Sequence, residues 1–267
     1  MDSRPIGVFD SGLGGLTAVK KLIEVLPRED IVYLGDTGRV PYGSRSRETI
    51  IKYARQDAAF LAGFDIKAMV VACNTACSEA LGHITGEYDM PVFGVVRPPA
   101  AEAVRLTTNG KIGIIGTAAT VRSGAYAEAL RAIDSSAESW SVPCPLFVPL
   151  VENGRTSPDD IVVRTLAEEY LAPLLKRGID TLILGCTHYP LLRGAIADIM
   201  GPGVAIVDSG VQTALRVAQD LGDMDILSGK GGERRYFVTD STDGFSELAS
   251  LFLGLRVDGN VRQVTVE

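Results

Sequence analysis

The sequence predicts an α/β fold with parallel sheets, and three observations lead to that prediction. Short runs rich in β-branched residues alternate with segments of helical periodicity along the chain. These runs are apolar throughout, which is typical of parallel strands covered by helices on both faces of a sheet. The sequence also repeats itself: 6–11 (IGVFDS) resembles 112–117 (IGIIGT), and 69–77 (MVVACNTAC) resembles 182–190 (LILGCTHYP).

Seven strands are expected before the C-terminal region, and helices lie between them. The predicted strands are 6–10 (IGVFD), 31–36 (IVYLGD), 68–73 (AMVVAC), 91–96 (PVFGVV), 111–117 (KIGIIGT), 181–186 (TLILGC) and 204–209 (VAIVDS). Apolar residues at helical spacing mark two of the helices, with Val19, Leu22, Ile23 and Leu26 on one and Val162, Leu166, Tyr170 and Leu174 on the other. Near the C-terminus, a strand at 235–240 and a helix at 245–253 are expected to pack back on one half.

The internal repeat indicates a duplicated α/β unit. In each half, a segment of the IGVFDS type comes first and a later strand ends in a cysteine. The boundary between the halves is expected near 97–99 (RPP), because two prolines disfavour continued regular structure.

Composition points to a protein that acts on a small molecule. The chain has 267 residues, 46% hydrophobic and 22% charged, and no apolar run approaches the length of a membrane span. A net charge of −7 does not indicate a basic surface for binding nucleic acid or an anionic membrane. The N-terminal segment MDSRPIGVFDSG lacks the features of a signal peptide, so we expect a cytoplasmic location and reduced thiols.

The repeated cysteines are the main candidates for chemistry. In parallel sheets, ligands bind beyond the carboxyl ends of the strands, and Cys73 and Cys186 are both expected there. A helix N-terminus and a polar neighbour are expected to lower a thiol pKa towards neutrality at such a position. The alternative is that each cysteine is a small core residue, as we interpret Cys77 and Cys144. A zinc site made of Cys73, Cys77, Cys186 and His188 is a further alternative, although no CxxC or HxxxH spacing is present.

Three other turns offer polar groups at strand ends. The glycine-rich segment 9–19 (FDSGLGGLTAV) is neither a dinucleotide fingerprint nor a P-loop, but its backbone amides could hold a carboxylate, and Asp10 could cap the following helix or bind an ammonium group. The loop 35–46 (GDTGRVPYGSRS) supplies the hydroxyls of Tyr42 and Ser44. The segment 116–126 (GTAATVRSGAY) supplies hydroxyls at 117, 120 and 123, for which helix capping is the alternative.

Taken in order, these phrases resemble bacterial glutamate racemases. The segments that carry the resemblance are GVFDSGLGGLTAV, YLGDTGRVPYGSRS, ACNTA, GTAATVRSGAY, VPLVENG and LILGCTHYPLL. The resemblance implies two pseudosymmetric Rossmann-like domains, 1–96 plus 208–267 and 97–207, with mostly parallel sheets and the active site in the interdomain cleft. It also implies a cofactor-independent, metal-free racemase that interconverts L- and D-glutamate for peptidoglycan and acts as a homodimer. The sequence differs from the commoner family pattern at Cys77 and Arg97.

The resemblance also implies roles for individual residues. Cys73 is expected to deprotonate D-glutamate and Cys186 to deprotonate L-glutamate. Asp10 and His188 would assist these thiols, with Asp36 and Glu152 as further carboxylates of the site. The expected substrate contacts are Asp10, Ser11, Pro41, Tyr42, Gly43, Ser44, Asn74, Thr75, Thr117, Thr120, Thr187 and His188. The alternatives are an aspartate racemase of the same superfamily and a non-catalytic thiol or zinc-binding protein.

Overall fold

A computed structural model describes residues 1–243, 245–254, 257 and 261–267. Over these residues the chain forms two sheets in which all neighbouring strands are parallel, so the α/β prediction is confirmed. The strands are β1 (Ile6–Asp10), β2 (Ile31–Gly35), β3 (Ala68–Val71), β4 (Val92–Gly94), β5 (Lys111–Gly116), β6 (Glu138–Pro143), β7 (Thr181–Gly185), β8 (Ala205–Asp208), β9 (Arg234–Val238) and β10 (Val261–Gln263).

Helices connect the strands and cover the sheets. The α-helices are α1 (Leu16–Val25), α2 (Arg47–Ala62), α3 (Asn74–Thr85), α4 (Arg97–Leu106), α5 (Ala118–Ser123), α6 (Ala125–Ile133), α7 (Phe147–Glu152), α8 (Ile161–Arg177), α9 (Arg193–Met200), α10 (Ser209–Asp223) and α11 (Phe245–Leu253). Short 3-10 helices lie at Thr37–Arg39, Tyr42–Ser44 and Tyr189–Leu192. No helix within the described ranges is long and apolar enough to cross a membrane.

The two sheets share a strand order, as expected for a duplicated unit. The larger sheet has the order β10-β9-β2-β1-β3-β4, and the smaller one has the order β6-β5-β7-β8. Without β9 and β10, the larger sheet has the order β2-β1-β3-β4. This order matches β6-β5-β7-β8 of the smaller sheet, since in both sheets the second strand in the chain comes first, followed by the first, third and fourth. Cys73 follows β3 and Cys186 follows β7, so the two thiols occupy equivalent places in the two sheets.

The predicted strands and helices are present, with ends that shift by up to two residues. All residues of β1, β2, β3 and β7 are buried, which explains why their apolar runs were readable. The prediction missed β6 and β10. Residues of β6 are exposed or half-buried because this strand lies at a sheet edge, and its polar sequence ESWSVP carries no apolar run.

The prediction that Pro98 and Pro99 interrupt regular structure is wrong. They lie in the first turn of α4, which begins at Arg97. Proline is compatible with that place because the first helical N–H groups have no partner inside the helix. The two prolines therefore start a helix and do not mark a break in regular structure.

The C-terminal region packs on the first half, as expected. Strand β9 pairs with β2, and α11 packs against α1. Residues 244, 255–256 and 258–260 of this predicted tail lie outside the described residues. The chain therefore returns to its first sheet after completing the second.

Candidate active site

The carboxyl ends of both sheets meet at one cavity of about 360 Å³. Its walls come from segments that follow β1, β2 and β3 in one sheet and β5, β6 and β7 in the other. Most of the predicted site residues line it: Ser11, Pro41, Tyr42, Gly43, Ser44, Cys73, Asn74, Thr75, Thr117, Glu152, Cys186, Thr187 and His188. Each half thus contributes one cysteine to the same space.

Three predicted residues lie behind the cavity wall. Asp10, Asp36 and Thr120 are buried and do not line the cavity. The hydroxyl of Thr120 lies 3.4 Å from that of Thr75 and 3.1 Å from that of Thr117. The structure therefore places Thr120 as support for two lining hydroxyls.

Cys73 is held at the start of α3. Its Sγ accepts a hydrogen bond from the backbone N–H of Ala76 at 3.4 Å and lies 3.4 Å from Ser11 Oγ, to which the thiol can donate. The thiol is therefore the N-cap of its helix as well as a wall of the cavity. Ser11 belongs to the turn after β1, so this contact joins two neighbouring strand ends.

Cys186 begins a chain of polar groups that runs along the cavity. Its Sγ lies 3.9 Å from Nδ1 of His188, and Nε2 of the same ring lies 3.1 Å from Oε1 of Glu152. Thr187 Oγ1 lies 3.4 Å from His188 Nδ1. The His188 side chain is mostly buried, whereas that of Glu152 is 43% exposed. This arrangement can move a proton between the thiol and the outer side of the cavity.

The expectation of lowered thiol pKa values is wrong for both cysteines. Burial raises the pKa of Cys73 to about 12, and the charge of Asp10 adds to the effect. Burial likewise raises the pKa of Cys186, with smaller opposition from the backbone N–H of His188. The helix N-terminus and polar neighbours act in the expected direction, but desolvation is the larger effect.

Hydrogen bonds fix the polar floor of the cavity, and those to Tyr126 and Thr117 join the two halves. Asn74 Oδ1 accepts from the hydroxyl of Tyr126 at 2.6 Å, and Asn74 Nδ2 donates to Ser209 Oγ at 3.4 Å. Thr75 Oγ1 lies 2.9 Å from Thr117 Oγ1. Thr117 also caps α5 by accepting from the N–H of Thr120, so the alternative role in helix capping holds for this hydroxyl. These bonds orient the side chains that follow Cys73.

The Tyr42 hydroxyl contacts two carboxyls behind the cavity wall, although Tyr42 itself lines the cavity. Its Oη donates to Asp36 Oδ2 and lies 2.9 Å from Asp57 Oδ2, and neither carboxyl lines the cavity. Asp36 also accepts from Arg39 Nε at 2.6 Å and from Thr239 Oγ1 at 2.8 Å. Asp36 therefore holds the cavity wall from behind and does not reach the cavity itself.

The capping role considered for Asp10 is also wrong. Gly15 is the N-cap of α1, without a side-chain hydrogen bond, and Asp10 Oδ2 accepts instead from the N–H of Gly12 at 2.9 Å. Asp10 Oδ1 is buried and has no hydrogen-bond partner among the described residues. Burial raises the pKa of Asp10, and the neighbouring His188 opposes this shift.

The glycine-rich turn packs directly on the segment after Cys186. A Cβ atom at Gly14 would overlap the side chains of Thr187 and His188. The Thr17 hydroxyl lies 2.9 Å from the carbonyl oxygen of Thr187, to which it can donate. Glycine is therefore required here for close approach of the two halves.

Sequence reasoning missed part of the cavity wall. The additional lining residues are Gly12, Val40, Ala118, Pro145, Val148 and Pro149. Pro145, Val148 and Pro149 follow β6, an edge strand without an apolar run. Because the sequence did not indicate this strand, it did not indicate that these residues lie at a strand end. The segment VPLVENG, quoted for the resemblance, contains two of them.

All four cysteines are free and buried, and Cys77 and Cys144 do not line the cavity. Both were interpreted as packing residues, and their placement agrees with this. Across the described ranges, no three His, Cys, Asp or Glu side chains form a group that could hold a metal. The zinc interpretation therefore has no ligand cluster to rest on.

Comparison with known proteins agrees with these features. The profile of the Asp/Glu/Hydantoin racemase family matches residues 10–217. A glutamate racemase from Geobacter metallireducens is 46% identical over all of this chain and 98% of its own. The crystal structure of a Bacillus anthracis glutamate racemase has a TM-score of 0.94 at 39% identity, covering 99% of this chain and 98% of its own. A Francisella tularensis glutamate racemase in complex with D-glutamate has a TM-score of 0.92 at 38% identity, with the same coverage.

Proposed function

The chain belongs to the Asp/Glu/Hydantoin racemase family, and from this premise we infer that it is a glutamate racemase that interconverts L-glutamate and D-glutamate. The observation that carries the inference is the pair of thiols at equivalent strand ends of two like sheets, facing one cavity. Glutamate racemases supply D-glutamate for the peptidoglycan of the bacterial cell wall.

The two thiols support a two-base reaction. One of them, as a thiolate, takes the proton from Cα and becomes a thiol. The other donates its own proton to the opposite face and becomes a thiolate, so that racemisation needs no rotation of the amino acid. Cys73 acts as the base on D-glutamate and Cys186 as the base on L-glutamate.

Formation of the thiolate needs help, because burial raises both thiol pKa values. The N–H of Ala76 stabilises a thiolate at Cys73, and the His188 ring, paired with Glu152, serves the thiol of Cys186. The ammonium group of a bound amino acid adds a positive charge to the cavity, which also favours the charged form of a thiol.

The polar groups that line the cavity are suited to an amino acid with two carboxylates. They come from Ser11, Gly43, Ser44, Asn74, Thr75, Thr117 and Thr187. Hydroxyl and amide donors of this kind stabilise negative charge that develops on the substrate carboxylate as the Cα proton leaves. Asp10, whose buried Oδ1 has no hydrogen-bond partner within the described part of the chain, acts on the Cys73 thiol from behind the cavity wall.

The domain bounds, the oligomeric state and the cellular location belong to the same proposal. We place one domain at 1–96 plus 208–267 and a second at 97–207, supported by the sheet to which each strand belongs. The homodimer and the cytoplasmic location stay predictions, which sedimentation and cell fractionation can check.

Exchange of the α-proton tests the function directly. Incubated with glutamate in D2O, the protein should incorporate deuterium at Cα and erase optical activity. Cys73→Ser and Cys186→Ser should each abolish racemisation, because a serine hydroxyl is a far weaker acid than a thiol. Cys77→Ser is the matched control, since Cys77 is a buried thiol outside the cavity.

The outcomes separate the alternatives. Exchange with aspartate and none with glutamate would make the protein an aspartate racemase. The absence of exchange with either amino acid would refute the racemase inference, and full activity in either active-site serine variant would refute the assignment of the two bases.

A further inference from the structure

The tyrosine of the cavity wall is held from behind by two buried carboxyls, and one of them has no role in the proposed reaction. Asp36 and Asp57 are 0% exposed, and Tyr42 is 1% exposed. Asp57 lies on α2, outside every motif considered in the sequence. Tyr42 Oη contacts both carboxyls, Asp36 at Oδ2 and Asp57 at Oδ2.

The number of protons in this network is constrained. A phenol carries one hydrogen, and an ionised carboxylate can only accept. If both aspartates were ionised, Tyr42 could satisfy one of them and would present an oxygen lone pair to the other. One carboxyl must therefore carry a proton and donate it to Tyr42 Oη.

The contacts identify Asp57 as the protonated one. Asp36 receives hydrogen bonds from Arg39 Nε at 2.6 Å and from Thr239 at 2.8 Å, besides that of Tyr42, which is the environment of an ionised group. Asp57 Oδ1 accepts from Arg39 Nη2 at 2.8 Å, whereas Asp57 Oδ2 lies against the Tyr42 hydroxyl.

Charge balance leads to the same assignment. One carboxylate at Asp36 neutralises the Arg39 guanidinium, whereas a second one would leave a net negative charge in a buried place. Two ionisable groups face Asp57 directly, Arg39 and Tyr42, and Asp36 and Asp10 act on it through space.

We propose that Asp57 is a positioning residue that stays protonated and donates to Tyr42, so that Tyr42 in turn donates to Asp36 and segment 41–44 is held against the cavity. This proposal rests on the proposed function, because positioning is meaningful only if the cavity binds the substrate. Burial and, next, the carboxylate of Asp36 raise the pKa of Asp57 well above the usual range, which supports it.

Segment 41–44 needs accurate placement because it packs against the other half. Pro41, Tyr42, Gly43 and Ser44 all line the cavity. A Cβ atom at Gly43 would lie only 2.9 Å from Cβ of Thr117, which follows β5. A displaced Tyr42 would therefore alter both the cavity wall and its contact with the second sheet.

Two substitutions distinguish a protonated from an ionised Asp57. In Asp57→Asn, the amide oxygen can accept from Arg39 while the NH2 group donates to Tyr42, as the protonated carboxyl does. This variant should keep kcat/KM within about threefold of the parent. Asp57→Ala removes both bonds, and its kcat/KM should fall by about tenfold or more, mainly through KM. A kcat/KM for Asp57→Asn as low as that for Asp57→Ala would overturn the proposal.

A double-mutant cycle tests whether Asp57 acts through Tyr42. In a Tyr42→Phe background, the difference in kcat/KM between Asp57→Asn and Asp57→Ala should shrink to within about twofold. An undiminished difference would overturn the positioning role.

A spectroscopic readout keeps this test separate from the test of the proposed function. The infrared spectrum of the protein at neutral pH, recorded without substrate, should contain the C=O stretch of a protonated carboxyl that is missing in Asp57→Asn. Identical carboxyl bands in the two proteins would refute the protonated state even if the protein racemises glutamate. Loss of the band in a protein that fails to exchange the α-proton would support the protonation and refute the function.

Discussion

Replacing Asp57 by asparagine should remove a pH dependence from the stability of the protein. Burial raises the pKa of this carboxyl from its ordinary value of 3.8. Between that value and the raised one, the folded chain keeps a proton that the unfolded chain has lost. The contribution of Asp57 to the unfolding free energy is therefore complete below its pKa in the unfolded chain. As the pH rises above that value, the contribution falls by about 1.4 kcal/mol per pH unit until the pH reaches the pKa of Asp57 in the folded protein.

The magnitude follows from one proton. Asparagine has no proton to take up, so the difference in unfolding free energy, variant minus parent, should grow by about 1.4 kcal/mol per pH unit. This gain of the variant relative to the parent accumulates only between the ordinary pKa and the raised pKa of Asp57. A constant gain or cost of the substitution does not affect this slope.

Urea unfolding at several pH values measures the slope. The chain has one tryptophan, Trp140 on β6, whose fluorescence reports on the second sheet, and circular dichroism reports on the whole chain. Asp89→Asn is the matched control because Asp89 is exposed. A free-energy difference for Asp57→Asn that stays constant with pH would refute the protonated assignment.

Three further predictions concern other parts of the molecule. The side chain of Glu29 is 2% exposed and lies 2.6 Å from Lys67 Nζ, so Lys67→Met should leave a buried carboxylate without its ion-pair partner. This variant should lower the unfolding free energy by about 3–5 kcal/mol and leave kcat of the folded protein unchanged. Unchanged stability in urea would contradict this prediction. Gly14→Ala should lower kcat/KM at least about tenfold, because a Cβ atom there overlaps the side chains of Thr187 and His188. Gly86→Ala is the control and should not lower kcat/KM, because the space around its Cβ is open. Equal activities of the two variants would show that the glycine-rich turn need not approach the segment after Cys186 so closely. Because burial raises both thiol pKa values, kcat/KM for glutamate should rise from about pH 6 to about pH 9 as thiolate becomes available, and a rate that falls over this range would count against a thiolate base.

The sequence determined the fold class and most of the cavity. Parallel strands buried on both faces must be apolar along their length, so β1, β2, β3 and β7 were visible as apolar runs. Ligand-binding residues collect at the carboxyl ends of such strands, so the cysteines and the polar residues after them could be assigned to one place. Edge strand β6 carries no such signal, and the wall residues that follow it were missed.

Only the tertiary structure decided what the polar residues do. Asp36 and Tyr42 lie close together in sequence, yet the Tyr42 phenol also contacts Asp57, a carboxyl behind the cavity wall that comes from α2. The thiol pKa values depend mainly on burial in the folded protein, and this effect exceeds that of the helix N-terminus, which the sequence can locate. Burial and hydrogen-bond partners are set by contacts between distant segments, which local sequence patterns do not encode.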